Sequence, residues 1–392
     1  MRFRHAPRTL RPQHRPRRRS HRPCRPHPRL RHRFRHHKRR IPSPKVSASV
    51  VSAPRALVPA ARERATGWLR NPAFDLTFVF GVLALAFVVG GAALLVPPLF
   101  GWIVYADFWL LAYPHVVSTF TRVAFDRESA RRHWFLLLGL PPIVFLATAS
   151  ATWLGGVIAL NTIYFYGQTY HYTRQSYGIA RAYRRAGGAS AFGRDRLTDV
   201  VVFAFPIWGL LHRAHQQQPK FYASPIWNPP VPQWLVLLAG GIAMLSLSLW
   251  TARTLRAIFR GAAPAYALFV LSHVAVTVVS YVAIAEITYG WLVINLWHNA
   301  QYLLFVWAHN ARQFRAGVDD SQPLLSRMSQ PDRVGMYAAV CLGLSATVYM
   351  TLGQATSLLS NKVLPLVLIC HQTVNFHHYL VDAVIWRTPR AR

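Results

Sequence analysis

Once a basic tail is set aside, eleven histidines remain in the chain, and most of them fall inside apolar stretches. Imidazole is the commonest protein ligand for iron, zinc and copper. A polar side chain inside a membrane segment is costly and usually faces the bundle interior. The spacing of the histidines sharpens this reading. His115, Ser118 and Arg122 recur at i, i+3 and i+7, which is one helix face. Asn161, Gln168, His171, Arg174 and Gln175 form a second stripe, with tyrosines interleaved. Asn295, His298 and Tyr302 form a third, with His309 further along the same face. His371, Asn375, His378 and Asp382 form the longest, at i, i+4, i+7 and i+11, and His377 sits about 100° around the helix from His378.

The expected metal ligands are therefore His115, His171, His298, His371, His377 and His378. Asp382, in register with His378, is either a carboxylate ligand or the partner that fixes an imidazole tautomer. Gln168, Asn375 and Gln301 are expected to bind substrate or to support ligands, and Asp382, Gln168 and Asn375 are the candidate catalytic residues. Three to six histidines from several helices suit a mono- or dinuclear iron centre, which activates oxygen for attack on C–H or C=C bonds. Two other chemistries remain open: haem b, with two of these histidines as axial ligands in quinone-linked electron transfer, and a proton-coupled transporter using the histidines and Asp382 as a relay. The remaining histidines have simpler readings. His273 is expected to be a packing residue, His133 and His309 to lie at the headgroup level, and His212 with His215 to be a loop pair.

The elements that must position these residues follow from hydropathy. A helix needs about 20 mostly apolar residues to cross a bilayer. On that scale ten segments qualify: 74–96, 102–121, 134–153, 155–173, 197–212, 233–252, 264–285, 290–310, 335–354 and 362–386. The third and fourth are joined only by Gly155 and Gly156, a tight turn. With both termini in the cytoplasm, every inner loop is basic, while the outer loops hold only Arg213 and Lys220, as the positive-inside rule requires. The expected fold is an all-α polytopic bundle of about ten transmembrane spans in which the segments bearing His115, His171, His298 and His378 run in the same direction. Their imidazoles then lie at similar depth, near the cytoplasmic face, where a substrate arrives from the bilayer.

Composition agrees with a membrane protein. Hydrophobic residues make up 53% of the chain and charged residues only 15%, against about 25% in soluble domains. Residues 1–40 hold 17 of the 45 Lys+Arg, seven of the 18 histidines and no acid. This Arg/His/Pro-rich tract, residues 1–46, has too little apolar surface to fold and is expected to be a dispensable tail, either a basic arm held at an anionic membrane face or the product of a start codon called too far upstream, the second being favoured, with 71–388 as the single membrane domain. A sequence pI near 11.5 would otherwise suggest nucleic acid, but the body's charge sits in short loops between apolar runs. No nucleic-acid partner is expected. The three cysteines form no CxxC or haem-attachment motif, and no dinucleotide, phosphate-loop or HExxH signature is present.

The pattern resembles the histidine-motif membrane oxygenases, namely the fatty acid desaturases and hydroxylases and the bacterial carotene-cleaving dioxygenases. It also resembles a set of uncharacterised bacterial multi-pass proteins that end in an HHYxxDxxIWR-like stretch, here His377 to Arg387. In place of the HxxxH and HxxHH boxes of the desaturases this chain has HQTVNFHH at 371–378. The resemblance implies a bacterial inner-membrane protein with iron, an electron donor, and a lipid or isoprenoid substrate.

Overall fold

The computed structural model describes residues 67–188, 194–222, 224–359 and 365–386. The tail expected over 1–46 lies outside the described residues, as do 387 and 388 at the end of the expected membrane domain. From Ala61 onward the chain forms one unit. It is helical almost throughout, and each of the ten segments expected to span is a helix over nearly its whole described length.

Short α1 (Pro72–Leu76) is capped by Asn71, whose side chain accepts from Phe74 N at 2.8 Å, and runs through a π turn (Thr77–Gly81) into α2 (Val82–Leu95). The next rod covers 100–124 as α3 (Phe100–Asp107), a π turn (Phe108–Ala112) and α4 (Tyr113–Ala124). A short α5 (Arg127–Arg132) and a π turn (Phe135–Gly139) lead into the long α6 (Leu140–Ala186). Then come α7 (Arg196–Gln216), a small antiparallel hairpin of β1 (Lys220–Phe221) and β2 (Ser224–Pro225), and α8 (Gln233–Phe259). The chain continues with α9 (Ala265–Val278), which ends in a π turn (Val279–Ala283), followed by α10 (Ile287–Gln313), short α11 (Pro323–Met328), α12 (Val334–Leu359) and α13 (Leu366–Ile385).

Six stretches among the described residues are long and apolar enough to cross a membrane: Pro72–Leu95, Phe135–Ala186, Arg196–Gln216, Gln233–Phe259, Ala265–Ala283 and Val334–Leu358. Their outer faces are apolar. Leu237, Leu238, Ile242, Leu245 and Leu249 of α8 are exposed, as are Trp153 and Leu154 of α6. So extensive an apolar surface suits lipid rather than water. The rod over 100–124, α10 and α13 are comparable in length but carry too many polar groups to join the six. Of the three, α10 lies inside. Of the 27 residues of α10, 20 are buried, and a helix buried all round is a central one.

The stretch Phe135–Ala186 is one unbroken run of helical residues but not one straight rod. Gly156 has φ 66° and ψ −170°, a region only glycine enters readily. His377 Nε2 of α13 lies 2.6 Å from the Leu136 carbonyl, while Gln175 donates to Asp382, five residues further along α13. A straight helix would place residues 136 and 175 about 58 Å apart, and five residues of α13 cover only about 7.5 Å. The chain therefore reverses at Gly155 and Gly156 into an antiparallel pair, as the sequence suggests.

The break between α9 and α10 is held by Arg213. The sequence placed this residue in an exposed loop, but it is fully buried in the last turn of α7. Its guanidinium donates to the carbonyls of Ser280 (2.8 Å), Ile284 (2.6 Å) and Ala285 (2.7 Å). These carbonyls, at a helix end, lack intrahelical donors. Gly290 fits beneath this staple because a Cβ there would stand 2.0 Å from the Ser280 oxygen.

Candidate metal centre

Four helices each bring one imidazole to the same place. His115 comes from α4, just after the π turn at 108–112, and His171 from the second arm of α6. His298 lies on α10 and His378 on α13. The ring of His115 is 4.7 Å from those of His298 and His378 and 6.2 Å from that of His171. The His171 ring is 5.2 Å from His298 and 4.9 Å from His378. All four are buried. The helices tolerate these polar stripes partly because hydroxyls bond back to their own backbone, as Ser118 does to His115 O and Thr173 to Thr169 O.

The nitrogens of His115, His171 and His298 lie within 4.8 Å of one another, and the same holds for His171, His378 and a carboxylate oxygen of Asp382. His171 belongs to both sets. His115 Nε2 and His378 Nε2 are 2.8 Å apart. Two ligands at right angles on one ion, each at about 2.1 Å, stand about 3.0 Å apart, so this separation is close to that of a shared ion. His115 Nδ1 and His171 Nε2 are buried with no protein hydrogen-bond partner, which is costly for a polar atom; a cation among the rings would relieve His171 Nε2, whereas the His115 nitrogen that faces His378 is Nε2.

A shell of hydrogen bonds orients the set. Thr119 Oγ1 lies 2.9 Å from His378 Nδ1 and donates to Asp382 Oδ1 at 3.0 Å. With its own proton committed to Asp382, Thr119 accepts from His378, which puts that ring's proton on Nδ1 and frees Nε2 for a ligand bond. The Tyr302 hydroxyl donates to Asp382 Oδ1 at 2.6 Å and accepts from Trp386 Nε1 at 3.0 Å. Gln175 donates to Asp382 Oδ2, which is 3.9 Å from His378 Nε2.

Two expected ligands lie elsewhere. His377 points away from the set: its Nε2 meets the Leu136 carbonyl at 2.6 Å and its ring stacks on Phe120. The offset of 100° from His378 is enough to send it to a different neighbour. His371, two turns before His378, packs among Tyr113, Tyr349 and Phe108.

His371 instead helps line a cavity of about 250 Å³ that begins at His115, His298 and His378 and reaches Phe221, Tyr222 and Ser224 of the hairpin region. Gln168 and Asn375 line this cavity too. Gln168 donates to Tyr172 and to Asn295 Oδ1 (3.1 Å) and accepts from Trp291 Nε1 (2.7 Å); Asn375 donates to Gln372 Oε1 (3.3 Å). Both are thus wall residues of the cavity.

Asp107 escaped the sequence reading. It is buried, and both its oxygens accept from amides one turn apart on α10, Asn295 and Asn299. The available signal was an acid inside an apolar run, in a chain with only 12 acidic residues.

The histidines outside the set have ordinary partners. His273 Nε2 bonds the Val202 carbonyl at 3.0 Å, as a packing residue would, and His215 Nδ1 bonds the Val231 carbonyl at 2.8 Å. His133 bonds the Ser129 carbonyl, and His309 packs edge-on against Trp386. Comparison with protein-family models, with curated proteins and with solved structures gives no match, so the site stands on its geometry.

Proposed function

We propose that this protein is a membrane-embedded metalloenzyme that binds one or two iron ions through His115, His171, His298 and His378, with Asp382 as a ligand or as the anchor of those ligands. The observation that carries this reading is the convergence of four imidazoles, from four helices, around buried nitrogens that have no protein partner. Imidazole with a carboxylate suits iron that activates oxygen. The adjoining cavity gives a substrate access to the same point. The apolar exterior supports a lipid-like substrate, and the histidine and carboxylate set supports an oxygenase reaction class, with the electron donor supplied from outside the chain. The bundle is proposed to span the bacterial inner membrane ten times with both termini cytoplasmic, on the strength of the arginine distribution in the loops.

Haem b is less well served. Two axial histidines hold a porphyrin between them, with nitrogens about 4 Å apart at iron–nitrogen distances like those of other imidazole complexes, whereas His115 and His378 meet at 2.8 Å with two more imidazoles packed around them. The second reading is a proton-coupled transporter. The hydrogen-bonded run from His115 through His378 and Thr119 to Asp382 favours it.

Elemental analysis of the full-length protein purified from iron-replete cells tests the first reading. The expected result is about one or two irons per chain, no haem absorbance, and loss of the metal in His298→Ala. A protein that purifies without transition metal and binds none on reconstitution overturns this reading in favour of the proton relay.

A further inference from the structure

The cavity beside the histidines contains no formal charge from acid or base. Its walls are histidine, tyrosine, asparagine, glutamine, serine and apolar side chains, with no Lys, Arg, Asp or Glu among them. This is notable in a chain with 45 Lys+Arg. A charged ligand would give up water here and meet no oppositely charged side chain in the walls. A neutral ligand with hydrogen-bonding groups would meet amides from two sides, Asn161 on α6 and Gln372 and Asn375 on α13. The buried hydroxyl of Tyr222 has no protein partner. Tyr222 has φ 57°, a left-handed conformation rare for a bulky residue, and it packs on Trp291 as part of the cavity wall. The volume of about 250 Å³ exceeds the roughly 150 Å³ that holds benzene in an engineered cavity, so a substituted ring fits.

A second space explains what such a head would be attached to. A shallow, open apolar groove lies along the first turn of α13, bordered by Pro365, Leu366, Val367, Leu368 and His371. Leu368 and His371 line both spaces, so no more than a side chain's width separates the polar cavity from the groove. Val367, on the groove, is exposed on the apolar exterior.

We propose that this site takes an uncharged amphiphile, with a ring-sized polar head in the cavity beside His115, His298 and His378 and an apolar chain that leaves past Leu368 and His371 into the groove. The proposal deepens the metalloenzyme reading and rests on it for the reaction, though not for binding.

The test uses three photoreactive probes that share one long alkyl chain carrying a diazirine and differ in the head: a phenol, a carboxylate or a quaternary ammonium. Full-length protein in phosphatidylcholine nanodiscs is irradiated with each, and labelled peptides are mapped by mass spectrometry. The phenol probe is expected to label residues 365–372 about tenfold more than either charged probe, and Leu368→Trp to lower that labelling by about tenfold. Leu368→Ala, which removes bulk without blocking the passage, should retain it. Asn375→Asp places a charge in the cavity and should move the preference toward the ammonium probe. Equal labelling by all three heads, or labelling by the phenol probe unchanged in Leu368→Trp, overturns the proposal. Iron is measured on the same samples. Metal-free protein that labels as described removes the metal reading and leaves this one, whereas iron-loaded protein that labels without head-group preference removes this one alone.

Discussion

His377 and His378 are neighbours in sequence with opposite surroundings. His378 sits against three other imidazoles, while His377 bonds a backbone carbonyl across the bundle. Replacing His378 with alanine is expected to abolish most metal binding. His377→Ala should leave the metal in place and cost about 1 kcal/mol of stability for one lost hydrogen bond. Elemental analysis and a thermal melt of the two variants separate these outcomes, and equal metal loss in both would refute the assignment. Thr119→Val removes no ligand but frees the His378 tautomer, and metal affinity is expected to fall by about 10- to 100-fold, read by competition with a chelator. The four central histidines were legible in the sequence because each lies in a polar stripe on an apolar helix. Whether His371 and His377 join them was not, because helical spacing fixes a side chain's angle but not its neighbour. Asp107 was missed for a related reason: its partners Asn295 and Asn299 are 188 and 192 residues away, and no local pattern joins them.

At the scale of elements, the reversal at Gly156 carries the most weight. It brings the second arm of α6, with His171 and Gln175, against α13. Gly156→Ala must hold a non-glycine residue at φ 66°, ψ −170°, a strain of about 1–3 kcal/mol. The expected result is a lower melting temperature together with weaker metal retention, because His171 moves with the arm. A variant that melts lower yet keeps its metal would show that the turn acts on stability alone. The turn was readable from two adjacent glycines between apolar runs. The staple by Arg213 was not, since a basic residue near a predicted helix end reads as a loop charge. Asp195 caps α7: it bonds Thr198 N at 3.3 Å and pairs with both terminal nitrogens of Arg253. Partial burial opposes its ionisation, but hydrogen bonds from Arg253 and Thr198 outweigh that and hold its carboxyl below the ordinary value of 3.8. The cap's contribution is therefore complete above that value and is lost as the pH falls through the lower folded one. Asp195→Ala should cost about 1 kcal/mol at neutral pH, and the difference from the parent should shrink in melts at strongly acidic pH. A constant difference across pH would show that charge is not involved.

For the whole molecule, the proposal of ten crossings rests on the arginines in alternate loops. Reporter fusions after Trp227 and after Asp320 are expected to read outside and inside respectively, and the same side for both would overturn the topology. The helical content and the apolar exterior were legible from hydropathy alone. The cavity was not, because its walls come from several helices and a two-strand hairpin whose meeting is set by packing.

The three helical rods too polar to stand with the six apolar stretches, over 100–124, 287–313 and 366–385, carry His115, His298 and His378. These are the segments least able to enter a bilayer unaided. Synthesis runs from the N-terminus, so the first two can pair with each other through Asp107, Asn295 and Asn299, but His115 and Thr119 must wait for His378 and Asp382 on α13. The four-histidine set is completed only once α13 has been made, so a metal held by all four would enter after that helix. A chain cut short before Leu366 lacks the partner for those faces and is expected to be cleared by membrane quality control, even though every strongly apolar segment is present.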